Sequence, residues 1–344
     1  MSAGKSVLLT GSSGFIAKHI ALQLLDAGHA VRGSVRAMNR GKEVADAVRP
    51  LLSDPSAADD RLSFVELDLL SDSGWREALQ GVDVLVHTAS PFPIRQPADE
   101  NELIRPAVEG TLRALRAAKA AGIRRVVLTS SIAAVADGHD GDVRRTCDES
   151  DWSDVESRTI TAYSKSKTLA ERAAWDFVRE EAPEMQLTAI NPGMVLGPPL
   201  DRHFGSSMGI LQRVVRSKDP ALPNIGFAFV DVRDIARIHA RAMDTPASIG
   251  GRHIGTAGFL WLPEVARIVA GQFPDRKIVT RRAPNALIRF LGLFDAEVRA
   301  SVPMLDQRRE LSNARARAVF GMDFIPADEA VRAGAKFLVD NGLV

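Results

Sequence analysis

Short apolar runs alternate along the chain with longer stretches whose apolar positions recur every three to four residues. The runs Val7–Thr10, Ala30–Val35, Leu62–Asp68, Val84–Thr88, Val126–Ser130 and Leu187–Asn191 read as strands. The stretches Gly14–Ala27, Lys42–Leu52, Trp75–Gln80, Glu102–Ala121 and Thr159–Glu181 read as helices. The strands are continuous Val/Leu runs without polar alternation, as a sheet covered on both faces requires. Strand–helix alternation of this kind predicts βαβ units and an α/β, doubly wound parallel sheet.

The rhythm changes after Asn191. Pro192-Gly193 and Gly197-Pro198-Pro199 break the chain. A helical piece at Met208–Arg216, a strand at Phe227–Val230, a helix at Asp231–Met243 and a strand at Arg252–Thr256 follow. The remainder is mostly helical, with one strand predicted at Lys277–Thr280. The pattern predicts a nucleotide-binding domain from residues 1–191 with a return near 225–257. A smaller, mostly helical substrate lobe is expected from residues 192–224 and 258–344.

Composition narrows the partners. The chain has 344 residues, 45% of them apolar, enough for one large domain or two fused lobes. Lys and Arg number 44 against 43 Asp and Glu, so neither nucleic acid nor an anionic membrane is an expected partner. The single cysteine, Cys147, excludes a disulfide framework and a Cys-based metal site. His87, His139 and His203 lack metal-ligand spacing, and no metal is expected. The N-terminus lacks a signal-peptide pattern, and the apolar segment Ala286–Phe294 is interrupted by Arg289 and too short to span a membrane. A cytoplasmic monomer or homodimer is the expectation.

The first strand ends in Thr10-Gly11-Ser12-Ser13-Gly14-Phe15-Ile16-Ala17. Gly11 permits a tight turn, Gly14 lets backbone approach a pyrophosphate, and Ala17 keeps the helix close to the sheet. The helix start then offers free N–H groups and its positive dipole end to phosphates. Enzymes that use NAD carry Asp or Glu about 20 residues beyond the glycines. Here the chain reads Gly33-Ser34-Val35-Arg36, with Arg40 and Lys42 following. A guanidinium pairs with the 2′-phosphate that an acid would repel, so NADP(H) is the predicted cofactor. Asp68, with Leu69 beside it, is placed to meet the adenine.

The one tyrosine lies in Tyr163-Ser164-Lys165-Ser166-Lys167. Residues four apart share a helix face, so Tyr163 and Lys167 point the same way. A free phenol titrates near 10, and a neighbouring ammonium lowers that value and makes it a usable general acid. Strand five ends in Thr129-Ser130-Ser131, where a hydroxyl would meet a substrate oxygen; Ser131 is preferred, with Ser130 the alternative.

With these residues the chain resembles the extended short-chain dehydrogenase/reductases. Within them it is similar to the dihydroflavonol reductase, cinnamoyl-CoA reductase and yeast methylglyoxal (carbonyl) reductase group. The similarity runs over roughly residues 5–256. Besides the stretches above, His87-Thr88-Ala89-Ser90-Pro91-Phe92, Arg105–Thr111, Ala189–Pro192 and Asp231–Asp234 carry it. The resemblance implies a Rossmann-type fold with catalysis by Ser131, Tyr163 and Lys167. It implies further dinucleotide contacts at Thr88, Ala89, Ser90, Pro192, Met194 and Val195. Cinnamoyl-CoA reductases carry an Asn-Trp-Tyr-Cys-Tyr-type block at the catalytic tyrosine. Thr161-Ala162-Tyr163-Ser164 departs from it, which argues against a CoA thioester.

The expected reaction is NADPH-dependent reduction of a ketone or aldehyde, or the reverse oxidation. The expected pocket wall is Phe92, Ile94, Met194, Phe204, Met208 and Phe227, suited to an apolar or aromatic substrate. Two rivals are a nucleotide-sugar epimerase or dehydratase with bound NAD, disfavoured by Arg36, and a non-catalytic dinucleotide sensor, which has no need of Ser131, Tyr163 and Lys167 together.

Overall fold

The computed structural model describes residues 4–90, 99–139 and 146–344. Seven strands form a parallel sheet: β1 (Ser6–Thr10), β2 (Ala30–Val35), β3 (Leu62–Glu66), β4 (Val84–His87), β5 (Arg125–Thr129), β7 (Gln186–Pro192) and β10 (Arg252–Gly255). Between β5 and β7 in sequence lies β6 (Thr146–Cys147). The order across the sheet is β10-β7-β5-β4-β1-β2-β3. The winding reverses between β1 and β4, which opens a crevice at the carboxyl ends of these strands. Register keeps those ends level: Thr10 lies beside His87, His87 beside Leu128, and Thr129 beside Ile190.

Each face of the sheet has its own core. One is built from Val7, Leu9, Ile20, Leu24, Val84 and Val86 under the helices Phe15–Asp26 and Val232–Ala242. The other joins Leu8, Leu85, Val126, Leu128 and Leu187 to Leu115 and Phe177 of the helices Asn101–Ala120 and Ala162–Glu180. The central strands carry apolar side chains on both faces, which is why they read as unbroken Val/Leu runs.

A second sheet consists of β8 (Met194–Leu196), β9 (Gly226–Asp231) and β11 (Gly258–Trp261), in the order β11-β9-β8. Residues 226–231 thus belong to the second sheet, and only 252–255 return to the first. A two-stranded ladder pairs β6 with β12 (Glu310–Leu311), tying the loop after β5 to the C-terminal region. The strand predicted at Lys277–Thr280 does not form. That segment is irregular, and among the described residues nearby only Arg282 bridges to Leu222. Its Ile278-Val279-Thr280 run has strand propensity but no neighbouring strand to pair with. Among the described residues, no helix is long and apolar enough to cross a membrane.

Candidate active site

The turn after β1 is built for close approach. Gly11 has φ +65°, and a Cβ there would sit 3.0 Å from the Ala89 Cα. Its N–H donates to Ser34 Oγ at 3.1 Å, and the Ser12 N–H and hydroxyl both donate to the Ser34 carbonyl at 3.0 Å. Gly33 is required at the next strand because its Cβ would lie 2.7 Å from Ser12 Oγ. Ser13 is half-buried and Gly14 exposed, and the helix beginning at Phe15 has no side-chain cap and no acid in its first turn. The N–H groups beyond Gly14 are therefore free for an anion, and the residues fit a pyrophosphate. Phe15 turns inward and packs edge-on to His19, and Ile16 leans on the same core.

Of the three basic residues after β2, Arg36 is exposed and makes no ion pair among the described residues. Arg40 is held by Glu43 at 3.2 Å. Lys42 runs along its helix to Asp46 at 2.6 Å and is 79% exposed, so its charge is already matched. Among the described residues, Arg36 is the one of the three whose charged group stands unengaged at the strand end. Asp68 is exposed, and its Oδ1 accepts the Leu70 N–H at 2.9 Å, leaving the other oxygen outward; Leu69 is half-buried beside it.

Thr10 organises the end of β4. Its Oγ1 accepts the N–H groups of Thr88 and Ala89, both at 3.1 Å, while the Thr88 hydroxyl donates to the Thr10 carbonyl. Thr88, Ala89 and Ser90 are thereby fixed half-exposed next to Gly11. Sequence reasoning missed Thr10 and Ser34 as scaffolding, although a hydroxyl at each strand end was the available signal.

Tyr163 and Lys167 lie in the first two turns of the helix Ala162–Glu180, which Thr161 caps by accepting the Ser164 N–H at 3.1 Å. Both are half-buried, and Lys167 Nζ stands 5.8 Å from the centroid of the Tyr163 ring. The Ser131 side chain stands on the side of the Tyr163 phenol, where its hydroxyl favours the ionised form. Ser130 points the other way, its Oγ donating to Glu171 at 2.5 Å, so Ser131 is the serine that faces the phenol. The expected lowering of the Tyr163 pKa by Lys167 is not what the geometry gives. Burial pushes the phenol above its ordinary value, the Ser131 hydroxyl opposes that, and the charge of Asp137 adds to it. Desolvation instead lowers Lys167 to about 8, against the pull of Glu171.

Behind this group lies a cluster that sequence reasoning did not find. The Glu171 carboxylate, 1% exposed, accepts from Ser130, from Asn191 Nδ2 at 2.8 Å, from Trp175 Nε1 at 3.2 Å and from Arg252 Nε at 2.7 Å. Asn191 also donates to the Ser131 carbonyl at 3.1 Å. The charge within the apolar stripe formed by Ala170, Ala174 and Phe177 was the signal available.

Pro192 and Val195 are buried at the end of β7 and in β8, and Met194 is half-buried between them. Phe204 and Phe227 are likewise half-buried against the core. Met208 is not a pocket residue: it is completely buried in the core, with its methyl against Gly334. Phe92 and Ile94 lie outside the described residues.

Comparison with known proteins places this arrangement. The model of the NAD dependent epimerase/dehydratase family matches residues 7–256. Cinnamoyl-CoA reductase CAD2 of Medicago truncatula is 36% identical over 82% of this chain and 85% of its own length. Ketoreductase azaE of Aspergillus niger is 34% identical over 94% of both. The crystal structure of yeast methylglyoxal/isovaleraldehyde reductase Gre2 complexed with NADPH matches 98% of this chain and 100% of that one, with TM-score 0.81 and 27% identity. The chain belongs to the NAD dependent epimerase/dehydratase family, the extended short-chain dehydrogenase/reductases.

Proposed function

We propose that this chain is an NADPH-dependent carbonyl reductase in which Tyr163 protonates the oxygen of a ketone or aldehyde. The observation that carries the reading is that Tyr163 and Lys167 share one helix face, Lys167 Nζ 5.8 Å from the phenol ring, with Ser131 at the end of β5 on the side of the phenol. The cofactor is NADP(H). Its pyrophosphate would rest on Gly11–Ile16 and its 2′-phosphate on Arg36, with Thr88, Ala89 and Ser90 along its length. When bound it supplies hydride to the carbonyl carbon.

The protein's part is positioning and proton transfer. Ser131 orients the substrate oxygen by a hydrogen bond, and Tyr163 donates the proton. A phenol held above its ordinary pKa remains protonated at neutral pH, the form needed for reduction. Lys167, its ammonium 5.8 Å from the phenol ring, anchors the ribose hydroxyls. Phe204, Phe227 and Met194 offer an apolar wall, which favours an apolar or aromatic carbonyl compound. The relatives are named for reduction of a CoA thioester, a ketone and methylglyoxal, and the Thr161–Ser164 block favours the free carbonyl compounds.

The epimerase reading shares the family but expects an acid where Arg36 stands. The deciding experiment follows NADPH oxidation against aryl ketones, ketoesters, aldehydes and diketones, with NADH in parallel and Tyr163→Phe as control. Turnover with NADPH that collapses in the variant supports the proposal. Turnover indifferent to Tyr163, or none with any carbonyl, overturns it.

A further inference from the structure

Under the helix Ala162–Glu180 the sheet carries two buried polar atoms of opposite kind without a hydrogen-bond partner among the described residues: Nε2 of His87 and Oδ1 of Asn191. His87 is 1% exposed and Asn191 is fully buried. His87 lies level with Leu128, and Ser130 follows the pair Thr129–Ile190, level with Asn191. Side chains two apart in a strand share a face. His87, Ser130 and Asn191 therefore point to the same side, where Glu171 bonds to the last two. Strand spacing and rise put the Cα atoms of His87 and Asn191 about 12 Å apart. An imidazole, a carboxamide and one water span that gap.

Hydrogen-bond accounting at Thr10 fixes the tautomer of His87. Thr10 Oγ1 already accepts two backbone N–H groups, from Thr88 and Ala89, so both lone pairs are taken. Its own hydrogen is left for His87 Nδ1, 2.9 Å away. Nδ1 is thus an acceptor, and the ring hydrogen sits on Nε2. Burial keeps the imidazole neutral, lowering it to about 4, and the nearby charge of Lys167 acts in the same direction. Asn191 is equally constrained: its amide N–H groups go to Glu171 and the Ser131 carbonyl, which leaves Oδ1 an acceptor. The titratable groups around Lys167 are Tyr163 and Glu171 on its own helix, His87 from β4, and Arg252 of β10 behind Glu171.

We propose that His87 is a positioning residue for Lys167, acting through one buried water. That water accepts from His87 Nε2–H and from the Lys167 ammonium and donates to Asn191 Oδ1. Three polar partners are what an ordered internal water needs. The ammonium is thereby held toward Tyr163 instead of relaxing onto Glu171. This rests on the Ser131–Tyr163–Lys167 reading for its catalytic meaning.

The chain has one tyrosine, so phenolate absorbance reports Tyr163 alone. The test titrates that absorbance in the NADP-loaded protein and measures kcat and KM for carbonyl reduction. His87→Leu removes the donor. His87→Gln places an amide N–H near the position of Nε2, and His87→Asn is too short to reach. The Leu and Asn variants should move the phenol titration by about one unit and lower kcat about tenfold with KM unchanged, the effect of one lost hydrogen bond. The Gln variant should restore both. Where the Leu variant does not fold, Asn against Gln carries the comparison. An unshifted titration in Leu or Asn, or a Gln variant shifted equally, overturns the proposal. Failure of the reductase reading looks different: Tyr163→Phe keeps its turnover, while the titration still reports on His87.

Discussion

Replacing Arg252 with methionine should destabilise the protein more than any surface change, and the structure sets the size of the loss. The guanidinium donates to Glu171 Oε1 at 2.7 Å and Oε2 at 3.2 Å. It donates to the carbonyls of Glu149, Asp151 and Ala134 and lies 3.8 Å from the centroid of the Trp152 ring. Arg252 and Glu171 are both buried, their side chains 7% and 1% exposed. Methionine fills the aliphatic volume but leaves a buried carboxylate without its cation. Breaking such a pair costs about 3–5 kcal/mol. Spread over the unfolding entropy of 344 residues, that lowers Tm by about 4–7 °C. Calorimetry of the wild type, Arg252→Met, Glu171→Leu and the double variant completes a cycle. The double variant should recover much of the loss, because the two penalties arise from one another's absence. A single variant within about 1 °C of wild type, or strictly additive singles, would refute the reasoning. Since Asn191 links Glu171 to the Ser131 carbonyl, Arg252→Met should also lower kcat at temperatures where it is fully folded.

Gly11→Ala should weaken NADPH binding at least tenfold by calorimetric titration, because its φ of +65° disfavours a side chain and the new Cβ meets the Ala89 backbone. Arg36→Asp should lower the ratio of kcat/KM for NADPH over NADH by about 30-fold or more, the loss of a charge-assisted contact to phosphate, whereas Lys42→Ala should change it little. Burial lowers His19, His87, His239 and His253 each to about 4. Their contribution to stability is complete above the unfolded value near 6.5 and is lost as pH falls through about 4. At about 3 kcal/mol per group this should give a steep fall in Tm between pH 6 and 4, and a flat profile there would contradict it.

The nucleotide half of the chain was legible because its strands are buried on both faces and its helices carry regular apolar stripes. The glycine turn and Tyr163–Lys167 spacing are local features, so their geometry could be read directly. Long-range features were hidden. Glu171 and Arg252 meet across 81 positions, and Lys18 pairs with Asp201 across 183; each looks like a surface charge until the chain is folded. The strand β8 is three residues long and hemmed by Pro192-Gly193 and Gly197-Pro198, whose breaker signals mask it. Met208 sits on a helix whose apolar face could serve either core or pocket, and tertiary packing against Gly334 made it core.

The position of Arg252 on the edge strand also constrains how the molecule is made. During synthesis the strands β1 to β5, β7 and the helix bearing Glu171 leave the ribosome first, and β10 follows only after the stretch from Met194 to Asp231, which carries β8 and β9 of the other sheet. Until then Glu171 has hydroxyl and amide partners but no cation, and the flank of β7 is an unpaired edge. A nascent chain of some two hundred residues can collapse around its central strands but cannot close its polar interior. The step that completes the nucleotide lobe is therefore late and long-range, and it leaves an interval in which the exposed edge of β7 is open to chaperones and to mispairing with other chains.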